Sequence, residues 1–221
     1  TFTVVGLGES NITLGPVTKL VGYTKNGYGD PYKIVDGEIP EHLRHGYFNN
    51  IPPIHDVAVT DVTPFRTVVR RGCTVRVNVT IANEGDLVET FPVTLYANAI
   101  PARTEVVTLP GGNSTTLTFV WETGGVPYSN YTMIGYAWTV PNETDTIDNT
   151  LVDGWVVVTI GGDADGDFDC DADDAFMYVG LAYNSRVGDP NYNPNCDFDC
   201  DGDVDTDDVF MYLAPNYGKK V

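Results

Sequence analysis

Positive charge is what this sequence has least of. Lysine and arginine together number 12, against 31 aspartate and glutamate residues, which gives a formal net charge of −19 at pH 7. A nucleic-acid partner needs a basic surface that neutralises phosphates. The scarcity of positive charge therefore argues against nucleic acid as a partner and favours cations as ligands.

Long apolar runs are missing as well. None approaches the roughly 18 residues that a membrane-spanning helix needs, so we expect no membrane span. The chain begins at Thr1 without the charged and apolar regions of a signal peptide, so we take it as a mature chain or a piece of a longer one. With 42% hydrophobic and 11% aromatic residues, it still has enough apolar material to fold.

Motifs of catalysis are absent too. Histidine occurs only at His42, His45 and His55, and the run Glu41-His-Leu-Arg-His is not the His-Glu-x-x-His of a zinc protease. There is no Gly-x-Ser-x-Gly motif and no cysteine with a histidine nearby. Spacing alone leaves open a carboxylate pair for glycoside hydrolysis. We nevertheless predict that the protein is not an enzyme.

Cysteine is scarce but informative. Cys73, Cys170, Cys196 and Cys200 allow three disulfide pairings, which suits an oxidising compartment, with free or metal-bound thiols as the alternative. The spacing of Cys196 and Cys200 is not that of a zinc knuckle, and no histidine lies near them. We therefore treat all four as disulfide candidates rather than as zinc ligands.

Acceptor sites for N-linked glycans are plentiful. The pattern Asn-x-Ser/Thr occurs at Asn11, Asn78, Asn113, Asn130 and Asn142, all ahead of an Asp-rich C-terminal segment. Together with the cysteines, these acceptors predict a secreted glycoprotein located outside the cell or at its surface.

Residues 55–160 show the alternation of short β-strands, with almost no helical periodicity. Glycine-, proline- and asparagine-rich turns separate seven such runs. They cover residues 56–60, 74–81, 92–96, 104–109, 115–121, 131–138 and 155–160. Seven strands in about 105 residues match the size of an immunoglobulin-like β-sandwich.

Several stretches within this region resemble the CARDB family of cell-surface sandwiches. They are Asp-Val-Ala-Val at 56–59, Asn-Glu-Gly-Asp at 83–86 before Phe-Pro-Val-Thr-Leu-Tyr at 91–96, Pro-Gly-Gly-Asn-Ser at 110–114 before Phe-Val-Trp at 119–121, and Glu-Thr-Asp-Thr-Ile-Asp-Asn-Thr at 143–150. The resemblance implies a spacer or adhesion role and brings no catalytic residues with it.

Residues 1–54 predict an N-terminal β segment. Three strands, at 2–8, 10–14 and 18–23, precede a stretch rich in glycine, proline and asparagine. Three strands cannot close a sandwich, so we expect them to pack on their own sandwich or to pair with the edge of a neighbouring copy. The segment, ending near His-Gly-Tyr-Phe-Asn-Asn at 45–50, also resembles the closing strands of a cohesin-like module.

The strongest motif is an internal repeat at a spacing of 34 residues. Residues 163–178 align without gaps on residues 197–212, with ten of 16 positions identical and seven of those aspartate. From residue 161 onward the chain holds 15 aspartates, no glutamate and three basic residues, so this segment carries −12 of the total charge.

Each repeat begins with the ligand spacing of a calcium loop. Calcium takes six to eight oxygens, which a 12-residue loop supplies from positions 1, 3, 5, 7, 9 and 12, position 7 through its carbonyl. The predicted ligands are Asp163, Asp165, Asp167, Asp169, Asp171 and Asp174 in the first loop, and Asp197, Asp199, Asp201, Asp203, Asp205 and Asp208 in the second. Position 6 is Gly202 in the second loop but Phe168 in the first. Because a left-handed conformation costs a bulky residue about 1 kcal/mol or more, we expect the first site to be weaker or distorted.

An apolar segment long enough for a short helix follows each loop, at 175–183 and 209–214, whereas neither loop has a helical pattern before it. This loop-then-helix repeat with aspartate at position 12 resembles the dockerin family over residues 161–218. The resemblance implies a cohesin-like partner, although Ala172-Asp173 and Thr206-Asp207 replace the usual Ser-Thr recognition pair. Since crowded carboxylates repel one another, we expect calcium to be required for folding here.

The sequence thus predicts a mainly β protein in three parts: an N-terminal β segment (1–54), a CARDB-like β-sandwich (55–160) and a small α-helical dockerin-like calcium-binding domain (161–221). We expect an extracellular, calcium-stabilised structural protein, a cell-surface or filament subunit that assembles with copies of itself. The alternative is a module that anchors a larger secreted hydrolase or adhesin to a cohesin-like scaffold.

Overall fold

Alternating apolar and polar residues form strands along much of the chain. The computed structural model describes residues 53–221, so the predictions for the N-terminal strands, their cohesin-like resemblance, His42, His45 and the Asn11 acceptor lie outside the described residues. The third strand of the described part, Thr74–Asn83, shows the pattern clearly, because Val75, Val77, Val79 and Ile81 are buried and the residues between them face outward.

Eight strands form two sheets. They are β1 (Val57–Pro64), β2 (Val68–Arg70), β3 (Thr74–Asn83), β4 (Glu89–Ala97), β5 (Ile100–Leu109), β6 (Asn113–Glu122), β7 (Ser129–Ala137) and β8 (Thr150–Thr159). One sheet has the order β1-β3-β6, and the other has the order β2-β8-β7-β4-β5. All neighbours are antiparallel except β2 and β8, which run parallel.

The core lies between the two sheets and is filled by large apolar side chains. Phe91, Phe119 and Met133 are at most 1% exposed, and the Trp121 ring meets Tyr131 edge to face at 5.1 Å. Such burial is the main stabilising contribution in a two-sheet fold. The predicted mainly β, immunoglobulin-like sandwich is confirmed. Strand β2 was missed because three residues are too few to show a period.

Residues 161–221, here called the C-terminal module, contain two loop-then-helix units. A π-helical segment, Asp174–Val179, continues into α1 (Gly180–Ala182), and a second, Asp208–Leu213, continues into α2 (Ala214–Asn216). The two-residue strands β9 (Ser185–Arg186) and β10 (Asp203–Val204) pair antiparallel. Among the described residues, no helix is long and apolar enough to cross a membrane.

The two units of the module complete each other. The Asn184 N–H donates to the Val204 carbonyl at 2.7 Å, and the Gly218 N–H donates to the Cys170 carbonyl at the same distance. These bonds are related by the 34-residue repeat, and each joins the chain after one helix to the loop of the other unit. A small shared core lies beneath them, formed by Ala164, Cys170, Val179, Ala182, Cys196, Phe198, Val204 and Leu213. The repeat is therefore also a structural repeat.

Candidate metal centres

The carboxylate at position 12 closes each of the two loops, here called loop 1 (163–174) and loop 2 (197–208). In loop 2, Asp208 accepts the Phe198 N–H at 2.6 Å through Oδ1 and the Asp205 N–H at 2.9 Å through Oδ2. In loop 1, Asp174 accepts the Ala164 N–H at 2.7 Å and the Asp171 N–H at 2.8 Å in the same way. One buried side chain thus joins the beginning and the end of each loop.

The carboxylates between these ends stabilise tight backbone turns. Asp165, Asp167, Asp171, Asp199, Asp201 and Asp205 each accept, through Oδ1, the N–H of the residue two positions later. This is the side-chain-to-backbone turn that aspartate favours. It occupies one oxygen of each carboxylate and leaves the other for a ligand.

The predicted ligands converge differently in the two loops. In loop 2, oxygens of Asp197, Asp199 and Asp208 lie within 4.8 Å of one another, as do those of Asp203, Asp205 and Asp208, so Asp208 belongs to both clusters. In loop 1, the clusters Asp163–Asp165–Asp167 and Asp169–Asp171–Asp174 share no member. Asp201 belongs to neither cluster of loop 2. Position 7 also contributes its side chain in both loops, where spacing predicted only its carbonyl.

Three oxygens in the loops are buried without a hydrogen-bond partner. They are Asp197 Oδ1 and Asp203 Oδ1 in loop 2 and Asp169 Oδ1 in loop 1. Asp197 is only 1% exposed, so its free oxygen cannot be satisfied by bulk water. A buried, unpaired carboxylate oxygen is costly unless a cation binds it, and oxygen-only sites suit hard divalent cations. The residues present therefore fit a metal ion of that class.

Burial also changes the pKa of several loop carboxyls. Burial, with a smaller contribution from nearby carboxylates, raises the pKa of Asp163 and of Asp208 to about 6. Burial likewise raises the pKa of Asp165, Asp174 and Asp199. The cause is desolvation of the charged form, which a bound cation would offset.

Loop 1 differs from loop 2 in the state of its first ligand. Asp163 Oδ1 accepts the Gly166 N–H at 2.6 Å, while Oδ2 accepts the Thr159 hydroxyl at 2.6 Å and the Phe168 N–H at 3.0 Å. Both oxygens of this carboxylate are thus already engaged by protein donors. This arrangement agrees in direction with the prediction that the first site is the weaker one, which stays a prediction.

Backbone strain is present in both loops and not only in loop 1. Phe168 has a left-handed backbone with φ 74°, as position 6 requires. Loop 2, however, has Cys200 at φ 68° in position 4, where loop 1 has Gly166. Each loop therefore has one non-glycine residue in the left-handed region. Strain at position 6 alone does not rank the two sites.

A disulfide joins the module to the sandwich. Of the three possible pairings, Cys73 at the start of β3 bonds Cys200 in loop 2. The expectation of a larger framework is corrected, because Cys170 and Cys196 are unpaired and buried in the small core of the module. Burial, followed by neighbouring carboxylates, raises the pKa of both thiols to about 12, so neither is a ready thiolate.

Sequence reasoning missed the polar contacts around this disulfide. Arg66, between β1 and β2, donates to Asp197, and Arg70 donates to the Phe198 carbonyl and lies over the Tyr212 ring at 4.6 Å. Asn195 Oδ1 accepts the N–H groups of residues 67 and 68. No local pattern marks these residues, because their partners lie more than 120 positions away. The sandwich and the module together form one compact unit.

A further acidic cluster, outside the two loops, lies at the end of the sandwich where β1 begins. Oxygens of Asp56, Glu84 and Asp148 lie within 4.8 Å of one another, and Asp56 Oδ1 and Asp148 Oδ1 are buried without partners. Burial, and then the charges of Asp148 and Glu84, raises the pKa of Asp56. The only sequence signal was that all three residues belong to stretches that resemble the CARDB family.

The four described glycan acceptors, Asn78, Asn113, Asn130 and Asn142, are all exposed. Three of them lie on strands and one lies in the turn between β7 and β8. Their positions are compatible with attached glycans, and glycosylation itself stays a prediction.

Comparison with known proteins gives matches only among solved structures. No protein-family model and no curated protein sequence matches the chain. The chain is similar to the CARDB domain of a Pyrococcus furiosus protein, solved in complex with di-metal ions, with 20% identity and a TM-score of 0.40 over 48% of this chain and 94% of that one.

Two further structures show a similar extent of match. A domain of a cell surface protein from Methanosarcina acetivorans has 28% identity and a TM-score of 0.37, over 48% of this chain and 92% of that one. A β-glucosidase from Listeria innocua, in complex with isofagomine, has 16% identity and a TM-score of 0.35, over 55% of this chain and 20% of that one. Each match covers about half of this chain.

Proposed function

We propose that this protein is an extracellular structural module of a cell-surface or filament subunit, in which two calcium ions stabilise the C-terminal module on the β-sandwich. The observation that carries the proposal is the state of the Asp197 carboxylate. This residue is 1% exposed, has one buried oxygen without a partner among the loop 2 carboxylates, and binds Arg66 of the sandwich with the other. A cation bound there would join the two parts of the unit.

The donor chemistry favours calcium over other cations. Calcium accepts six to eight oxygens in irregular arrangements, whereas magnesium demands a near-ideal octahedron and keeps several waters. Zinc prefers nitrogen and sulfur. The free thiols, Cys170 within loop 1 and Cys196 just before loop 2, have a raised pKa of about 12 and are buried in the module core.

Loop 1 is also held by the sandwich. The Thr159 hydroxyl at the end of β8 donates to Asp163 of loop 1, just as Arg66 donates to Asp197 of loop 2. Calcium in either loop would therefore stabilise both the module and the parts of the sandwich that carry these donors. We assign the protein a structural role and no catalytic step, with copies of itself as partners at the surface.

The disulfide and the exposed glycan acceptors support an extracellular location. A disulfide such as Cys73–Cys200 persists in oxidising compartments, and Asn-x-Ser/Thr acceptors are used on secreted proteins. Calcium is also abundant there, so loops of moderate affinity would remain filled.

A calcium titration combined with thermal unfolding tests this proposal. The full chain should bind two calcium ions by calorimetry, and its melting temperature, followed by near-ultraviolet dichroism of the buried Trp121, should rise with calcium and fall in EDTA. At a free calcium concentration of 100 times Kd, each site adds about 2.7 kcal/mol to the free energy of unfolding. Magnesium at the same concentration is the control. Calcium binding that left the melting of the sandwich unchanged would contradict the structural role.

Exposed apolar residues favour a second candidate, a binding module for a cohesin-like partner. Phe176 and Met177 are 74% and 61% exposed, and Phe210 and Met211, their equivalents in the repeat, are 67% and 65% exposed. Large apolar side chains exposed at both copies of a repeat are typical of interaction surfaces. Light scattering and negative-stain microscopy with and without calcium separate the candidates, because filaments favour self-assembly and monodisperse particles favour docking to another protein.

A further inference from the structure

We infer that Arg66, a residue of the sandwich, positions the first calcium ligand of loop 2 and makes loop 2 the first of the two loops to fill. This inference rests on the proposed function, in which both loops bind calcium. It adds a residue outside the loops to the metal site and gives the two sites an order.

The contacts of Arg66 hold Asp197 in one orientation. One guanidinium nitrogen donates to the Asp197 carbonyl at 2.9 Å, and the other donates to Asp197 Oδ2 at 3.1 Å. The Tyr192 hydroxyl donates to the same Oδ2 at 2.8 Å. Because Oδ2 is engaged by two donors, Oδ1 is left as the oxygen available to a cation, beside Asp199 and Asp208.

Arg66 itself is rigidly placed. It is 7% exposed, and the backbone N–H groups of the next two residues, Thr67 and Val68, both donate to Asn195 Oδ1 at 3.1 Å. Asn195 lies two residues ahead of Asp197, so the Arg66 segment and the entry to loop 2 hold each other. The Cys73–Cys200 disulfide fixes loop 2 again at position 4. Loop 2 is thus held against the sandwich at its entry, at its first ligand and at position 4.

Loop 1 has no charged donor from the sandwich at its first ligand. Asp163 has Oδ1 engaged by the Gly166 N–H and Oδ2 by the Thr159 hydroxyl and the Phe168 N–H. A cation at Asp163 would therefore share either oxygen with a protein donor, whereas Asp197 Oδ1 has no such donor. The first ligand of loop 2 is thus the better prepared of the two, and ligands that are already positioned cost less to bind.

The positive charge of Arg66, taken alone, predicts the opposite role for this residue. A guanidinium close to a calcium ion repels it, so charge alone would make Arg66 weaken the site. Positioning predicts that Arg66 strengthens the site, because without it Asp197 is free to turn. Variants that separate charge from geometry therefore decide between the two accounts.

The test is a calcium titration of the full chain by calorimetry in four proteins: wild type, R66Q, R66K and R71Q. R66Q removes the charge, R66K keeps the charge but loses the two-nitrogen geometry, and R71Q is the charge-matched control, since Arg71 is exposed and lies over Tyr128. We expect R66Q and R66K to weaken the tighter of two binding steps about 10- to 100-fold, with the weaker step unchanged. R71Q should match wild type.

Three further variants assign the two binding steps to the loops and keep the inference testable if the Arg66 variants fold poorly. D199A should remove the tighter step and D165A the weaker one, because alanine offers no ligand oxygen in loop 2 and loop 1 respectively. Y192F, which removes only the second donor to Asp197 Oδ2, should weaken the tighter step several-fold even if the Arg66 variants fold poorly.

Several results would overturn the inference. A tighter site in R66Q would show that charge outweighs positioning, and an equal fall in both steps would show only a general loss of stability. Loss of the tighter step in D165A instead of D199A would reverse the order of filling. A wild-type chain that binds no calcium would instead refute the proposed function, on which the inference rests.

Discussion

Loop 1 and loop 2 have the same ligand spacing but different surroundings. In both loops the position 12 carboxylate closes the turn and the intermediate aspartates shape it. The first ligand differs, because donors of loop 1 and a neutral hydroxyl engage both oxygens of Asp163, whereas Arg66 and Tyr192 leave one oxygen of Asp197 free. The two loops thus share the ligand spacing of a calcium loop, and the surrounding tertiary structure determines how the first ligand of each is engaged.

Breaking the disulfide should have the largest effect on this comparison. The variant C73A/C200A removes the covalent link between loop 2 and β3 and should lower the free energy of unfolding by about 4 kcal/mol, because the link closes a long loop in the unfolded chain. It should also reduce calcium affinity at loop 2 more than at loop 1. Denaturant unfolding in calcium measures the first effect. C170A, which removes a buried thiol outside the disulfide, is the control and should cost clearly less.

Removing the position 12 carboxylate should have the next largest effect. D208A takes away three hydrogen bonds from backbone N–H groups and a member of both loop 2 clusters, so we expect a loss of about 3 kcal/mol in calcium and no binding at loop 2. D174A is the matched variant in loop 1. Its loss of calcium-dependent stability should be smaller, because both oxygens of the first ligand of loop 1, Asp163, are already engaged by protein donors. Equal losses would mean that the two loops are equivalent.

The pH dependence of the metal-free protein gives a third test. The pKa of Asp163 and of Asp208 is raised from 3.8 to about 6, so between these values the folded state binds protons more tightly than the unfolded chain. Stability in EDTA should therefore be highest below the lower value and fall as pH rises through this window, by on the order of 2 kcal/mol per carboxyl. With calcium bound the slope should reverse, because protons compete with the cation.

Thermal melts in EDTA and in calcium, between roughly pH 4 and pH 7, measure both slopes. D163N should remove the contribution of loop 1, and D208N the contribution of loop 2. A metal-free protein whose stability increased with pH over this window would contradict the raised pKa of these two loop carboxyls.

Relieving strain at position 6 of loop 1 should have the smallest effect. F168G places glycine where φ is 74° and should add up to about 1 kcal/mol to the stability of the calcium-bound protein. N184G is the control, since Asn184 has φ 60° outside the loops and asparagine tolerates that conformation better. If F168G also brought the affinity of loop 1 up to that of loop 2, strain rather than the state of Asp163 would explain the difference.

Local patterns were enough to predict much of this molecule. Alternation located seven of the eight sandwich strands, because each strand buries one face in the same core. The 34-residue repeat predicted twelve aspartate ligands, and the structure places eleven of them in the four loop clusters, with only Asp201 outside. These features depend on neighbours in sequence, so a period or a spacing reveals them.

Long-range contacts could not be predicted in this way. The choice of Cys73 as the partner of Cys200, the placement of Arg66 against Asp197, and the meeting of Asp56 with Asp148 all depend on how distant segments pack. Phe168 was identified as a left-handed residue, but Cys200 was not, because its conformation follows from the loop and the disulfide together. The proposed ranking of the two loops depends on these contacts.

The disulfide also has a mechanical consequence for a protein that experiences pulling forces. Cys73 and Cys200 are separated by 127 positions, so β3 to β8 and loop 1 all lie inside a closed covalent ring. Tension applied between residue 53 and residue 221 would pass through the sulfur bridge and bypass that ring. At about 3.5 Å per residue, on the order of 400 Å of chain would be withheld from extension. Under load, the protein would behave as a short link with most of its fold protected.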